Sequence, residues 1–320
     1  MKPAVSLVAV AGRRRATLEL AARLEREGFT GIYCPSPGDG LALCEALALV
    51  TREIPFGTSI AHIYTRHAFE YAQTAAVIHE LSGGRFRFGI GVSHGPAHER
   101  LGLRPGKPID DIRTFVAEVK GYAPQVGAVP PITLATLRRR MVALAGEIAD
   151  GAVWANGARS HMVESLRALP AATREAARFF IGNMVPTCID EDRARAAAVM
   201  RKTLTPYVRL SNYQNYWIEA GYGDEMAAVR AAVAHGDDAA VQARDVRALA
   251  RRRHPVRQRE GRPRRRGGVA SDGREDRHPG AVVDAGRPDG GVRGADRRLP
   301  LKPAYFSFAR RAFRLLSIEV

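Results

Sequence analysis

Along the first 240 positions, apolar residues fall into short unbroken runs, each followed by a stretch where they recur with a helical period. Unbroken apolar runs predict strands covered on both faces, and the longer period predicts amphipathic helices. On this reading Val5–Val10 is a strand. Ala16–Glu27 is a helix with Leu18, Ala21, Ala22 and Leu24 on one side and Gly28 at its end. The alternation continues with strand Gly31–Cys34 and helix Leu41–Thr51, strand Phe56–Ile60 and helix Ala68–Leu81, and strand Phe86–Gly91 and helix Ile109–Tyr122. Strand Ile132–Ala135 precedes helix Arg140–Ala149, strand Ala152–Trp154 precedes a helix near Met162–Leu169, and strand Phe180–Val185 precedes helix Glu191–Tyr207. Seven strand–helix units in roughly 210 residues predict an α/β chain of the TIM-type (β/α)8 barrel class, incomplete at its C-terminal end, rather than an open sheet.

The composition changes where this pattern stops. No Phe, Tyr or Trp occurs between Gly223 and Ala304, and residues 244–320 contain 20 Arg against a single Lys. That segment carries a net +12 of the chain's +16. The expected organisation is therefore a barrel domain over 1–243 and an Arg/Gly-rich, low-order tail over 244–320. One reading of the tail is a phosphate-contacting arm, which would make this a nucleic-acid-associated protein. The other is translation out of frame. Moving the frame by one nucleotide through Arg253–Glu260 permits Ala-Thr-Leu-Phe-Gly-Ser-Ala-Lys, a turn into a helix. The same move through Asp276–Asp284 permits Thr-Ala-Ile-Leu-Val-Pro-Ser-Ser-Thr, a buried strand ending in a polar loop. That strand is a candidate for the missing eighth stave, so the out-of-frame reading restores a periodicity that the visible frame lacks.

Several classes are set aside on composition. No apolar run reaches the ~20 residues that span a bilayer, so no membrane association is expected. The apolar start of the chain is short, and Arg13–Arg15 follow it rather than precede it, so it reads as a first strand of a cytoplasmic protein. Cys34, Cys44 and Cys188 show neither CxxC nor His/Cys spacing, which points to free thiols and no metal. No GxxxxGK[ST] is present, and no GxGxxG follows a strand.

The segment richest in candidate chemistry is His79–Gly95, a helix end, a glycine break, a short strand, and a loop of Gly, Ser and His. Strand exits of α/β proteins are where ligands bind. Gly89 and Gly91 fit either tight strand packing or the close approach of a planar ring. Ser93 and His94 follow at the exit. His62 and Tyr64 come just after the third strand and are candidates to line a substrate pocket. Asp39 follows the second strand. Trp154 ends the sixth strand as pocket wall or core filler. The cluster Tyr207, Tyr213, Tyr216 and Trp217 predicts packing rather than a stacking platform for bases.

Taken together, Phe56–Ile60, Ala75–Phe86, Gly89–Gly95, Pro131–Ala135 and Leu144–Ala152 resemble the luciferase-like flavin and deazaflavin oxidoreductases, their coenzyme F420-dependent branch especially. The resemblance runs from about residue 4 to 240. It implies a TIM barrel whose F420, or alternatively FMN, lies across the C-terminal mouth of the strands. It further implies cofactor contacts from Thr58, Ser59 and Ile60, with a non-proline cis peptide around Ser59–Ile60. Gly89, Gly91, Val92 and Ser93 would meet the ring, and Asn156 and Gly157 would approach the cofactor tail. The implied activity is hydride transfer between the cofactor and a small organic substrate, or oxygen chemistry if the cofactor is FMN, in a chain that could form a homodimer. One departure stands out. Many relatives carry a His after strand two, whereas Cys34–Gly40 contains none. The acid/base role then falls to His94, Ser93 or Asp39, among which the sequence does not choose.

Overall fold

The computed structural model describes residues 2–243 and, beyond them, the backbone of Val256–Arg257 and Tyr305–Phe308. The first half of the chain runs β1 (Ala4–Ser6), α1 (Arg14–Arg26), β2 (Ile32–Cys34), α2 (Gly40–Val50), β3 (Phe56–Thr58), β4 (Ala61–His62), α3 (Ala68–Leu81), β5 (Phe86–Gly91), α4 (Gly95–Arg100), α5 (Pro108–Gly121) and α6 (Ala123–Val126). It continues as β6 (Ile132–Thr136), α7 (Arg139–Ile148), β7 (Gly151–Ala155), α8 (Met162–Arg167), α9 (Ala171–Glu175) and β8 (Phe180–Ile189). Next come α10 (Arg193–Val208), α11 (Ser211–Glu219), α12 (Gly223–Ala234), α13 (Asp238–Ala243), β9 (Val256–Arg257) and β10 (Tyr305–Phe308).

β1, β2, β3, β5, β6, β7 and β8 pair in that order, all parallel, and helices connect them. This is an incomplete TIM-type barrel of seven parallel staves, as the hydrophobic pattern predicts. Where a complete barrel has an eighth parallel strand, β10 runs antiparallel and pairs with both β1 and β8. The two edges that seven staves alone would leave are therefore bridged among the described residues. β9 adds a short parallel pairing to the far end of β8. Both short strands fall inside the segment that shows no strand periodicity. Their backbone pairing places them, and pairing needs no side-chain period. The rest of residues 244–320, including Asp276–Asp284, lies outside the described residues, as do the nucleic-acid and out-of-frame readings of the tail.

Both faces of the staves are covered. Ile32, Cys34, Phe56, Phe86, Phe88, Ile90, Ile132, Leu134, Ala152 and Trp154 point outward into the layer shared with the helices. Alternate residues point inward, where Ala4, Tyr33, Val153, Phe180 and Met184 form a second cluster. The side chain of Arg87 stacks over Phe180 inside the barrel, 4.7 Å from the ring centroid.

Local chemistry explains where the elements stop. β1 ends at Ser6 rather than Val10, because Val10 N–H turns back to the Val8 carbonyl. The predicted strand Phe56–Ile60 is split in two by a cis peptide between Ser59 and Ile60, at the position the family resemblance implied. The Ser82–Arg85 part of the glycine-rich stretch works at the opposite end of the barrel from the strand exits. Arg85 donates to the carbonyls of Ala48, Thr51, Ile54 and Ser82 and stacks over Phe56, tying the ends of α2 and α3 together. Helices α11–α13 are not visible in the residue pattern. They pack a separate core of Tyr213, Tyr216, Trp217, Tyr222, Met226 and Val229, so the tyrosine cluster is packing, as expected.

Candidate active site

The site is assembled from the exits of β3/β4, β5 and β7. At the first exit the backbone is pinned from two sides. Ser59 N–H donates to the Cys34 carbonyl (2.7 Å) and Ser36 Oγ donates to the Ile60 carbonyl (2.7 Å). Thr58 Oγ1 donates to the Gly89 carbonyl at 2.6 Å. After the cis peptide the chain resumes as β4, with Ala61 and His62 beside Ile90 and Gly91 of β5.

The glycines here serve that geometry first. A β-carbon at Gly89 would stand 2.0 Å from the Thr58 carbonyl oxygen, and one at Gly57 would stand 2.2 Å from the Arg87 carbonyl oxygen. Backbones this close admit only glycine. At Gly91 a β-carbon would meet the Ala135 side chain at 2.8 Å and the Ile60 side chain at 3.2 Å. Ile60 thus packs over the bare face of Gly91.

At the second exit, Val92 leads into Ser93, whose φ of 63° is left-handed, and His94 at the start of α4. Ile63 N–H donates to the Gly91 carbonyl, which keeps the two exits together. His98 Nε2 lies 2.5 Å from the Val92 carbonyl oxygen and Tyr64 packs edge-on against its ring. The His94 ring is edge-on to Tyr213 at 5.8 Å, and its Nδ1 is buried without a hydrogen-bond partner. Burial holds His94 below the ordinary histidine range, with His98 adding to the effect. Burial does the same for His62, helped by His94, His98 and Arg100. Both rings are therefore neutral near pH 7.

At the third exit Asn156 adopts a left-handed φ of 57° and is 1% exposed. Its N–H donates to the Met184 carbonyl, and its own carbonyl accepts from Trp217 Nε1. Both polar atoms of its side-chain amide are buried without a partner. The Asn183 side chain clamps Gly157 through its N–H and C=O at 3.1 and 3.0 Å. Met184 joins this exit to the first, since Ser59 Oγ donates to Met184 Sδ at 3.1 Å.

The structure thus brings together Thr58, Ser59, Ile60, His62, Gly89, Gly91, Val92, Ser93, His94, Asn156 and Gly157. It reassigns three other candidates. Trp154 is fully buried in the layer between sheet and helices, because its position on β7 faces outward, so it does not line a pocket. Asp39 is occupied on both carboxylate oxygens: it caps α2 at Ala42 N–H and pairs with Arg66. It is a structural cap rather than an acid/base group. Tyr64 commits its hydroxyl to Asp111 at 2.6 Å. Sequence reasoning does not single out Asn183 and Met184, and weighs Ser36, like Asp39, as a turn former. Ser36 sits between two prolines in a loop that reads as a plain turn, and the other two lie inside an apolar strand where only register singles them out. Among the described residues no cluster of His, Cys, Asp or Glu could hold a metal ion. No helix among them is long and apolar enough to cross a membrane.

The profile described as luciferase-like monooxygenase matches residues 3–286. The chain belongs to the luciferase-like monooxygenase family. Enzymes of this luciferase-like family are oxidoreductases or monooxygenases. A 5,10-methylenetetrahydromethanopterin reductase of Methanolobus tindarius is 25% identical over 150 residues, covering 40% of this chain and 46% of that protein. The match therefore spans less than half of that relative. An uncharacterised protein of Mycobacterium tuberculosis is 25% identical over 245 residues, covering 64% of this chain and 72% of its own. Among solved structures, the coenzyme F420-dependent tetrahydromethanopterin reductase of Methanopyrus kandleri superposes with a TM-score of 0.59 at 17% identity. That superposition covers 76% of this chain and 82% of the reductase. An F420-dependent secondary alcohol dehydrogenase superposes with a TM-score of 0.56, also at 17% identity, over 69% of this chain and 82% of its own. The luciferase-like barrel is shared with both.

Proposed function

We propose that this chain is an oxidoreductase that binds coenzyme F420 across the strand exits and exchanges a hydride with a small organic substrate. The observation that carries the reading is the pair of buried, unpartnered polar groups after β5 and β7, His94 Nδ1 and the Asn156 amide. A buried polar group without a partner costs about 1–3 kcal/mol, so a ligand that supplies the partner gains that much affinity. The exit of β3/β4 carries the Ser59–Ile60 peptide pinned by Ser36 and Cys34, and the exit of β5 carries Ser93 in a left-handed turn. The F420-dependent chemistry of the two superposable enzymes supports this choice of cofactor.

When bound, the deazaflavin supplies hydride transfer, and the protein supplies orientation and a closed site. The Ser59–Ile60 backbone, held by Ser36 and Cys34, would support the ring of the coenzyme. Asn156 would offer it an amide donor and acceptor. His94, neutral and buried, accepts or returns the substrate proton at Nδ1, with Ser93 beside it. His62 lines the substrate side of the mouth.

Titration of the purified chain with F420 and with FMN tests the proposal. F420 binding followed by a change in its absorbance on reduction or oxidation is the expected result. Tight FMN binding without F420 binding would favour a monooxygenase. Binding of neither would refute the proposal.

We also infer that residues from about 244 onward are read out of frame. The support is the composition break, the strand recovered at Asp276–Asp284 in the shifted frame, and an antiparallel β10 in a barrel whose other staves are parallel. The nucleotide sequence across codons 240–300 decides this directly. A chain with the frame restored is expected to give higher cofactor occupancy than the present one.

A further inference from the structure

His94 opens α4, yet packing does not fix that helix. None of its six residues, Gly95–Arg100, has a buried side chain, and His94 makes no side-chain cap. The turn that leads into it is also unfavourable by itself. Ser93 holds a left-handed φ of 63°, which only glycine adopts freely. Such a turn persists only where its surroundings enforce it. One side chain closes it. His98 reaches back from α4 and sets its Nε2 2.5 Å from the Val92 carbonyl oxygen, on the strand side of Ser93. A carbonyl oxygen can only accept, so the proton sits on His98 Nε2. The backbone N–H groups of Ala97 and His98 donate to the His94 carbonyl. These bonds clasp Ser93 and His94 between Val92 and His98.

The clasp is braced from α5. Tyr64 packs edge-on against the His98 ring, with centroids 5.5 Å apart and planes at 87°. The Tyr64 hydroxyl donates to Asp111 Oδ2 at 2.6 Å, in the first turn of α5. The other carboxylate oxygen closes against the loop before α5, where a β-carbon at Gly106 would stand 2.6 Å from Asp111 Oδ1. A chain of contacts therefore runs from Asp111 through Tyr64 and His98 to the exit of β5. It acts on His94 only through the backbone.

We propose that His98 is a positioning residue: by donating to the Val92 carbonyl it keeps the Ser93 turn closed and sets the His94 ring in place at the strand exit. This rests on the proposed function only in taking His94 as the group that moves the substrate proton. The placement of the ring is measurable without turnover.

The test follows the histidine ring nitrogens of the full chain by NMR, without coenzyme, in wild type and three variants. His98→Gln keeps a donor that reaches as far as Nε2, His98→Asn is polar but too short to reach the carbonyl, and His98→Leu has no donor. His94 is faced by His62 from β4, His98 from α4 and Tyr213 from α11. All three variants lose the His98 ring charge alike, so differences among them report position rather than charge. In wild type, His98 should carry its proton on Nε2 above its titration range. His94 should titrate alike in wild type and His98→Gln, apart from the lost charge, and should move up toward the ordinary histidine value in His98→Asn and His98→Leu. In turnover with F420, His98→Asn and His98→Leu should lower kcat by about tenfold or more with KM changed less than about threefold, and His98→Gln should restore most of kcat. Matching urea midpoints for the Gln and Asn variants separate this loss from a loss of fold. If His98→Leu does not fold, the Gln and Asn pair and the wild-type tautomer carry the test. A proton on His98 Nδ1, or a His94 that titrates alike in all three variants, overturns the proposal. A kcat as low in His98→Gln as in His98→Asn overturns it too. If wild type turns over neither F420 nor FMN, the coenzyme reading falls and the ring titrations alone decide the clasp.

Discussion

In the proposed function His94 carries the proton transfer, because its ring is buried, its proton affinity is lowered and its Nδ1 has no hydrogen-bond partner. Its folded-state proton affinity is lowered, so the protein binds fewer protons there than the unfolded chain just below pH 6.5, and both stability and the base form decline as pH falls through that window. The acidic limb of kcat/KM is expected below pH 6.5, and His94→Asn should lower kcat/KM by about 10²–10⁴-fold and abolish that limb. Steady-state kinetics across pH checks both outcomes. Trp154 gives the opposite prediction. Trp154→Phe should destabilise the fold by about 1–3 kcal/mol in denaturant titration while leaving KM unchanged, because the ring packs between sheet and helices. Sequence alone could not separate these roles. One residue of register decides whether a strand-end aromatic faces the mouth or the helices, and the strand is too short for its period to show it. His94 was legible as a candidate because it follows glycines at a strand exit. Asp39 looked equally suitable, and only its contacts to Ala42 and Arg66 reveal a cap.

Strands and helices of the first seven units are legible because each strand buries both faces and each helix presents one apolar stripe. The kink between β3 and β4 is invisible to that pattern, since Phe56–Ile60 is apolar enough to read as one strand. Helices α11–α13 are not legible because their apolar residues serve a local core rather than one stripe, and α4 because it is short and buries no side chain. The glycines of β3 and β5 belong to this scale. Gly89→Ala would set a β-carbon against backbone at 2.0 Å and should cost about 1–3 kcal/mol or prevent folding. Gly121→Ala at the end of α5, with open space around it, should be neutral or stabilise by about 0.5–1 kcal/mol in the same urea titration. Glu25 shows how a loop is held between elements. Its carboxylate accepts from the N–H groups of Arg52, Glu53 and Ile54. Partial burial pushes its proton affinity up, but these donors outweigh burial and keep it below the usual carboxylate value. The stability it adds is present above the ordinary Glu range and is lost as pH falls through the folded value. Glu25→Gln should therefore destabilise the chain at pH 7 and make much less difference near pH 3.

Across the whole chain the composition changes near residue 244: the residues before it follow the pattern of parallel α/β folding, and those after it do not, although β10 among them pairs with β1 and β8. The family profile extends to residue 286, past the composition break and over the segment that the shifted frame reads as a strand. The central claim concerns the barrel: a ring-shaped redox coenzyme rests against the exits of β3/β4, β5 and β7. Hydrogen exchange with and without saturating F420 or FMN tests it most directly. Protection concentrated in residues 57–62, 89–95 and 155–157 is the expected result. Protection elsewhere, or none in these three segments with coenzyme bound, would contradict the account.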